Sequence, residues 1–159
     1  MVAALQVIGH KKSGKTTVVN DLIQAANALA LSVSTLKHTH EPISAATDSG
    51  RFAAQVPTWL LTPTQTLAYS HATTSLAERV KAIVNTCATD LLLIEGAKAL
   101  AYPKLVLLLP GETPTDWAKT ANIAAFATLG ATNDPQVLTW QSARAASWLA
   151  AWYAQQGGV

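Results

Sequence analysis

The chain has 159 residues, half of them hydrophobic and 13% charged, and a formal net charge of +2. That length suits a single domain, 1–159, with an adequate core, and such sparse charge leaves a partly apolar surface compatible with a subunit that buries some area in a partner. The small net charge, with no stripe of basic residues, argues against nucleic acid as a partner, and the single cysteine, Cys87, excludes an internal disulfide and a CxxC metal knuckle.

The first element in chain order is a short apolar strand, Ala3 to Ile8, which runs directly into GHKKSGKTT at residues 9 to 17. Gly9-x4-Gly14-Lys15-Thr16 satisfies the phosphate-loop spacing G-x-x-x-x-G-K-[ST]. In such a loop the glycines take backbone angles that side chains forbid, so successive N–H groups can turn toward one anion. Lys15 supplies a cation for the outer phosphates, Thr16 a hydroxyl for Mg²⁺, and the following helix its positive N-terminal end. The expected nucleotide site therefore comprises Gly9, Lys11, Lys12, Ser13, Gly14, Lys15, Thr16 and Thr17. The lysines follow the apolar run, whereas a signal peptide would carry them before it.

Thr17 to Leu31 reads as a helix, with Val18, Leu22, Ile23, Ala26 and Leu29 on one face. A second strand, Ser32 to Leu36, ends at Lys37-His38, and THEPISAATDSG from Thr39 to Gly50 has the composition of a loop. Two short strands are expected at Pro57 to Leu61 and Thr66 to Tyr69. A helix follows from Thr74 to Asn85, capped by Thr74 or Ser75, with Leu76, Val80 and Ile83 or Val84 inward. Cys87 reads as a small buried helix residue rather than a reactive thiol. DLLLIEG at 90–96, PKLVLLLP at 103–110 and Ile123 to Leu129 are strands too apolar to face water.

The last element, Gln141 to Gln155, is a helix with Ala145, Trp148, Leu149 and Trp152 on one side; residues 156–159 read as a frayed tail. Its tryptophans suit sealing helix to sheet, or a partner-facing anchor. Alternation of strands and helices gives an α/β fold of the P-loop NTPase type, a mostly parallel sheet with helices on both faces. No apolar run is long enough to span a membrane, so a cytoplasmic location and no membrane partner are expected.

A phosphate loop needs a second acid to hold the water shell of Mg²⁺, and Glu95, at the end of a neighbouring apolar strand and followed by Gly96, meets that need. Asp90 belongs at the other end of the same strand. Lys37, His38 and His40 stand at the ligand-binding edge of the sheet, as contacts to phosphate or to a second substrate; the two histidines alone make a weak transition-metal set. Asp48 and Arg51 offer an anion contact or order the loop, with Asp48 or Ser49 as a helix cap. After the strand ending near Leu129, Asp134 or Asn133 offers a contact to a guanine base, or forms an ordinary Asn-Asp-Pro turn.

Taken together, GHKKSGKTT, TLKHTHE, DSGR, LLLIEGAK and PKLVLLL resemble the molybdopterin-guanine dinucleotide biosynthesis adaptor (MobB) family, by motif from about Leu5 to about Leu109. The resemblance implies a P-loop fold, binding of GTP with Mg²⁺ and at most slow hydrolysis. It also implies a homodimer, partnership with the molybdenum cofactor guanylyltransferase, and molybdopterin as a candidate second ligand. Lys37, His38, His40, Asp48, Arg51, Gly96 and Lys98 then form the second-ligand or switch set. The chain departs from the family pattern at Glu41, where a histidine is usual, at Ala54-Gln55-Val56 for Ala-Gly-Ala, at Ala97 for an aromatic, and at Leu109-Pro110 for an arginine. Two readings from other classes stay open: a small-molecule kinase using ATP, poorly served by three scattered arginines, Arg51, Arg79 and Arg144, and a nucleotide-dependent metal-delivery chaperone using His38 and His40.

Overall fold

Strands that are apolar on both faces can only be stable inside a sheet covered on both sides, and such sheets are built from parallel strands. The computed structural model, which describes residues 2–40 and 46–157, shows this arrangement. The elements in order are β1 (Ala3–Gly9), α1 (Lys15–Ala28), β2 (Val33–Lys37), α2 (Asp48–Ala53), β3 (Thr58–Leu61), β4 (Thr66–Tyr69), α3 (Leu76–Thr86), β5 (Leu91–Glu95), β6 (Lys104–Leu107), β7 (Ile123–Thr128), β8 (Val137–Thr139) and α4 (Ala145–Gln155). Six strands pair in parallel in the order β2-β5-β1-β6-β7-β8. β3 and β4 form a separate antiparallel hairpin.

The residues group into two compact units, Met1–His38 with Lys81–Val159, and Thr39–Val80. The first holds the six-stranded sheet. Leu5, Val7, Leu91, Leu93, Leu105 and Leu107 point to one face, where Val18, Leu22 and Ala26 of α1 and Leu149 and Trp152 of α4 bury them. Trp140 and the half-buried Trp148 join that cluster, so these tryptophans seal helix to sheet. Asp21 on α1 accepts Trp140 Nε1 at 2.9 Å and Ser142 Oγ at 2.8 Å, which ties the start of the last helical segment to α1. On the opposite face Ile8, Val106 and Leu108 pack with Trp117, from a 3-10 helix at Pro114–Trp117, and with Val137.

The second unit contains α2, the hairpin and the beginning of α3. The hairpin turn is closed by Thr62, whose Oγ1 accepts the Gln65 N–H at 2.9 Å. Ser75 and Glu78 form a reciprocal cap before α3: Glu78 Oε2 accepts the Ser75 N–H at 2.9 Å, and Ser75 Oγ accepts the Glu78 N–H at 3.3 Å.

Several boundaries differ from expectation for local reasons. α1 stops at Ala28 rather than Leu31, because Ala30 turns left-handed (φ 56°) and the Leu31 N–H bonds back to Ala26 O at 2.9 Å. Asp48–Ala53 is helical inside the span read partly as loop, and its cap is Thr47, whose Oγ1 accepts the Gly50 N–H at 3.2 Å, not Asp48 or Ser49. Ile83 is exposed and Val84 partly buried. Cys87 lies one residue past α3, half-buried, 3.0 Å from Thr89 Oγ1. β8 was not anticipated, since three residues show no alternation. Part of the tail, residues 158–159, and Glu41 lie outside the described residues. No helix among the described residues is long and apolar enough to cross a membrane.

Candidate nucleotide-binding site

The phosphate loop follows β1 and gathers at the C-terminal edge of the sheet, where open α/β sheets bind ligands. Its backbone turns left-handed at Lys12 (φ 67°) and at Gly14 (φ 90°), the alternation that makes a concave set of N–H groups. Gly9 is required by space, and Gly14 chiefly by its backbone angle. A Cβ on Gly9 would stand 2.3 Å from Ser13 Oγ and 2.6 Å from Leu107 O, and one on Gly14 would stand 2.2 Å from Leu129 Cδ1. Ser13 is buried, with no partner for its hydroxyl among the described residues.

Lys15 donates to Gly9 O at 3.2 Å and His10 O at 2.7 Å, so its ammonium is held over the loop. Burial lowers its pKa from the ordinary lysine value, Glu95 opposes that shift, and the charges of Lys98 and Lys37 add to it. An anion in the cradle would restore the favourable field for the ammonium. Thr16 Oγ1 lies 3.4 Å from each carboxylate oxygen of Glu95, the end of β5. The pair fits a hydrated Mg²⁺: one hydroxyl ligand beside one carboxylate for the water shell. Lys37, the end of β2, pairs with Glu95 Oε1 at 3.4 Å. Lys11, Lys12, Gly14, Lys15, Thr16, Thr17 and Glu95 line one cavity of about 330 Å³.

After Glu95 the chain turns sharply through Gly96 (φ 87°) and Ala97 (φ 54°). A Cβ on Gly96 would meet His38 O at 3.3 Å, so β5 and β2 approach closely there. The turn is held from inside the sheet by Gln6, fully buried, whose Nε2 donates to Gly96 O at 3.1 Å and Ala97 O at 2.9 Å. Lys104, also buried, donates to Leu100 O at 2.5 Å and Tyr102 O at 3.0 Å and secures the rest of that connection. Neither role has a signal in the sequence, where Gln6 and Lys104 are single polar residues in apolar strands.

Asp134 lies in the loop after β7 and lines a second cavity, of about 210 Å³, with Thr132, Thr128 and the segment Leu108–Thr113. Its Oδ1 accepts the Gln136 N–H at 2.8 Å, so it forms a turn, while its Oδ2 makes no bond among the described residues. Glu112 was not anticipated by sequence. It bridges this cavity to the phosphate loop, pairing with His10 Nε2 at 3.1 Å and accepting the Leu109 N–H at 2.6 Å. Of the remaining expected residues, the His38 N–H donates to Glu95 O at 3.0 Å. His40, Asp48 and Arg51 belong to the second unit, where Asp48 and Arg51 pair with each other. Among the described residues no three His, Cys, Asp or Glu side chains gather to hold a metal ion.

Residues 4–129 match the family model of MobB, molybdopterin guanine dinucleotide synthesis protein B. No curated protein sequence matches the chain. Among solved structures, a MobB protein homolog from Bacillus stearothermophilus is 25% identical with a TM-score of 0.69, over 96% of this chain and 98% of that one. MobB of Bacillus subtilis is 26% identical with a TM-score of 0.69, over 93% of this chain and 96% of that one. A molybdopterin-guanine biosynthesis protein B, 16% identical, shares the fold at a TM-score of 0.69 over 95% of this chain and 99% of its own. With well over half of its length matching the family model, and two MobB structures superposing along nearly its whole extent, the chain belongs to the MobB family.

Proposed function

We propose that this chain is a GTP-binding accessory protein of molybdopterin guanine dinucleotide synthesis, which holds GTP with Mg²⁺ and hydrolyses it slowly at most. Its family gives it a role in molybdenum-cofactor biosynthesis. The observation that carries the nucleotide reading is the convergence of Lys15, Thr16 and Glu95 around one cavity at the sheet edge. In that site Lys15 and the loop backbone hold the phosphates, and Thr16 with Glu95 and its water shell hold Mg²⁺. The ion's contribution is to neutralise phosphate charge.

Slow turnover follows from what the site holds. No arginine lies on it among the described residues, and the nearby glutamine amide, that of Gln6, is buried and committed to Gly96 and Ala97. Among the described residues neither an arginine finger nor a water-orienting glutamine completes the site, so fast hydrolysis would need a partner to supply one. The partner in this reading is the molybdenum cofactor guanylyltransferase, met by a cytoplasmic homodimer. Support comes from Phe52, Val56, Trp59 and Leu61 of the second unit, each more than half exposed, an apolar set suited to an assembled interface.

Guanine selectivity rests on Asp134, whose second oxygen suits the N1 and N2 protons of the base. Competition of GTP and ATP against a fluorescent guanine nucleotide tests it. GTP should displace the probe at lower concentration than ATP, and Asp134→Ala should bring the two together. Displacement by ATP first would overturn the base assignment and leave the phosphate site standing.

A further inference from the structure

Four side chains beside the phosphate loop make a set that the nucleotide reading has not used. The Lys98 ammonium lies over the Trp117 ring, 4.8 Å from its centroid. His10 packs against the same ring at 5.2 Å and 50°, and pairs with Glu112. Trp117 is thereby fixed: it is buried, fills the core beside Ile8 and Val106, and is braced by a residue of the phosphate loop. Lys98 is its opposite. Its backbone follows the Gly96–Ala97 turn that Gln6 anchors, but its own side chain is exposed.

We propose, resting on the nucleotide reading above, that Lys98 is a specificity residue of this site, its ammonium shared between the Trp117 ring and the outermost phosphate, so that the protein distinguishes tri- from diphosphate. Two observations and one physical argument support this. Lys98 is three residues beyond Glu95, which with Thr16 marks the metal side of the cavity, where the outer phosphates must lie. The Trp117 ring it covers is packed by His10, whose backbone carbonyl accepts the Lys15 ammonium at 2.7 Å, so the Lys98 and Lys15 ammonium groups flank the same part of the loop. An exposed cation–π contact is weaker than a charge-assisted bond to phosphate, so the side chain can be drawn from ring to anion while its rigid backbone stays in place.

The test is titration calorimetry with GTP·Mg²⁺ and GDP·Mg²⁺ on the full chain, on Lys98→Met and on Lys119→Met, which removes the same charge from an exposed position outside the site. Lys98→Met should weaken GTP by about tenfold and GDP by less than about twofold, with Lys119→Met unchanged. Equal weakening of both nucleotides, or of neither, would overturn the proposal while leaving nucleotide binding intact. Absence of binding in the unmodified chain would instead remove the reading on which it rests. Tryptophan emission gives an independent readout. GTP but not GDP should change it, and both Trp117→Phe and Lys98→Met should abolish that change; identical responses to GTP and GDP would contradict the assignment.

Discussion

Gly14 shows how tightly single residues are specified here. Its φ of 90° is one that a side chain enters only with strain, and a Cβ there would also have to displace the half-exposed Leu129 side chain. Gly14→Ala should therefore cost about 1–2 kcal/mol of stability and weaken nucleotide binding by more than about tenfold. Denaturant unfolding and titration of the same sample check both, and a variant that binds GTP normally would contradict the cradle. Lys104 permits a test of sign. Burial holds its ammonium below the ordinary lysine value of 10.5, so between that lowered value and 10.5 the unfolded chain keeps a proton that the folded chain has given up. Stability should then rise with pH across this window and level off above it. Lys104→Met leaves two carbonyls without their donor, at a cost of about 1–3 kcal/mol, and should lose this alkaline gain. Parallel pH curves for the two proteins would refute it. At this scale the sequence was legible in position: Lys15 and Thr16 from the spacing of the loop and Glu95 from its place at a strand end, all three lining one cavity. Glu112, His10 and Trp117 were not, because they meet only where separate loops come together at the sheet edge.

Elements were legible in proportion to how much burial dictates their residues. β1, β5 and β6 are buried on both faces and could be read directly from AALQVI, LLLI and KLVLLL. β8 is three residues long at an open edge, and its composition carries no such imprint. The end of α1 was hidden for a different reason: alanine rather than glycine takes the left-handed position after it. The contact between α1 and the segment leading into α4 depends on Asp21, the shared acceptor for Trp140 and Ser142. Asp21→Ala should destabilise the chain by about 1–3 kcal/mol, since the largely buried indole N–H loses its acceptor. GTP affinity should be unaltered, as Asp21 lines neither cavity. A loss of affinity matching the loss of stability would show that α1 transmits strain to the phosphate loop.

For the molecule as a whole, fold class and family were legible in the sequence because one sheet edge carries the phosphate loop and the LLLIEG strand end. In the second unit the hairpin strands were legible at Pro57 to Leu61 and Thr66 to Tyr69, whereas α2, six residues long and mostly exposed, was read partly as loop because little burial writes a pattern there. In the proposed function the first unit holds the nucleotide and the apolar surface of the second supports assembly. The chain's intrinsic GTPase rate should not exceed about 10⁻² s⁻¹, the range of sites that lack help from a partner; phosphate release at a rate of several per second would contradict the slow-hydrolysis reading.

The most direct test is calorimetric titration of the purified chain with GTP and ATP in the presence of Mg²⁺, with Lys15→Ala alongside. Binding should be saturable, favour GTP and vanish in the variant. Binding that survives Lys15→Ala, or no binding of either nucleotide to the unmodified chain, would contradict the proposed function.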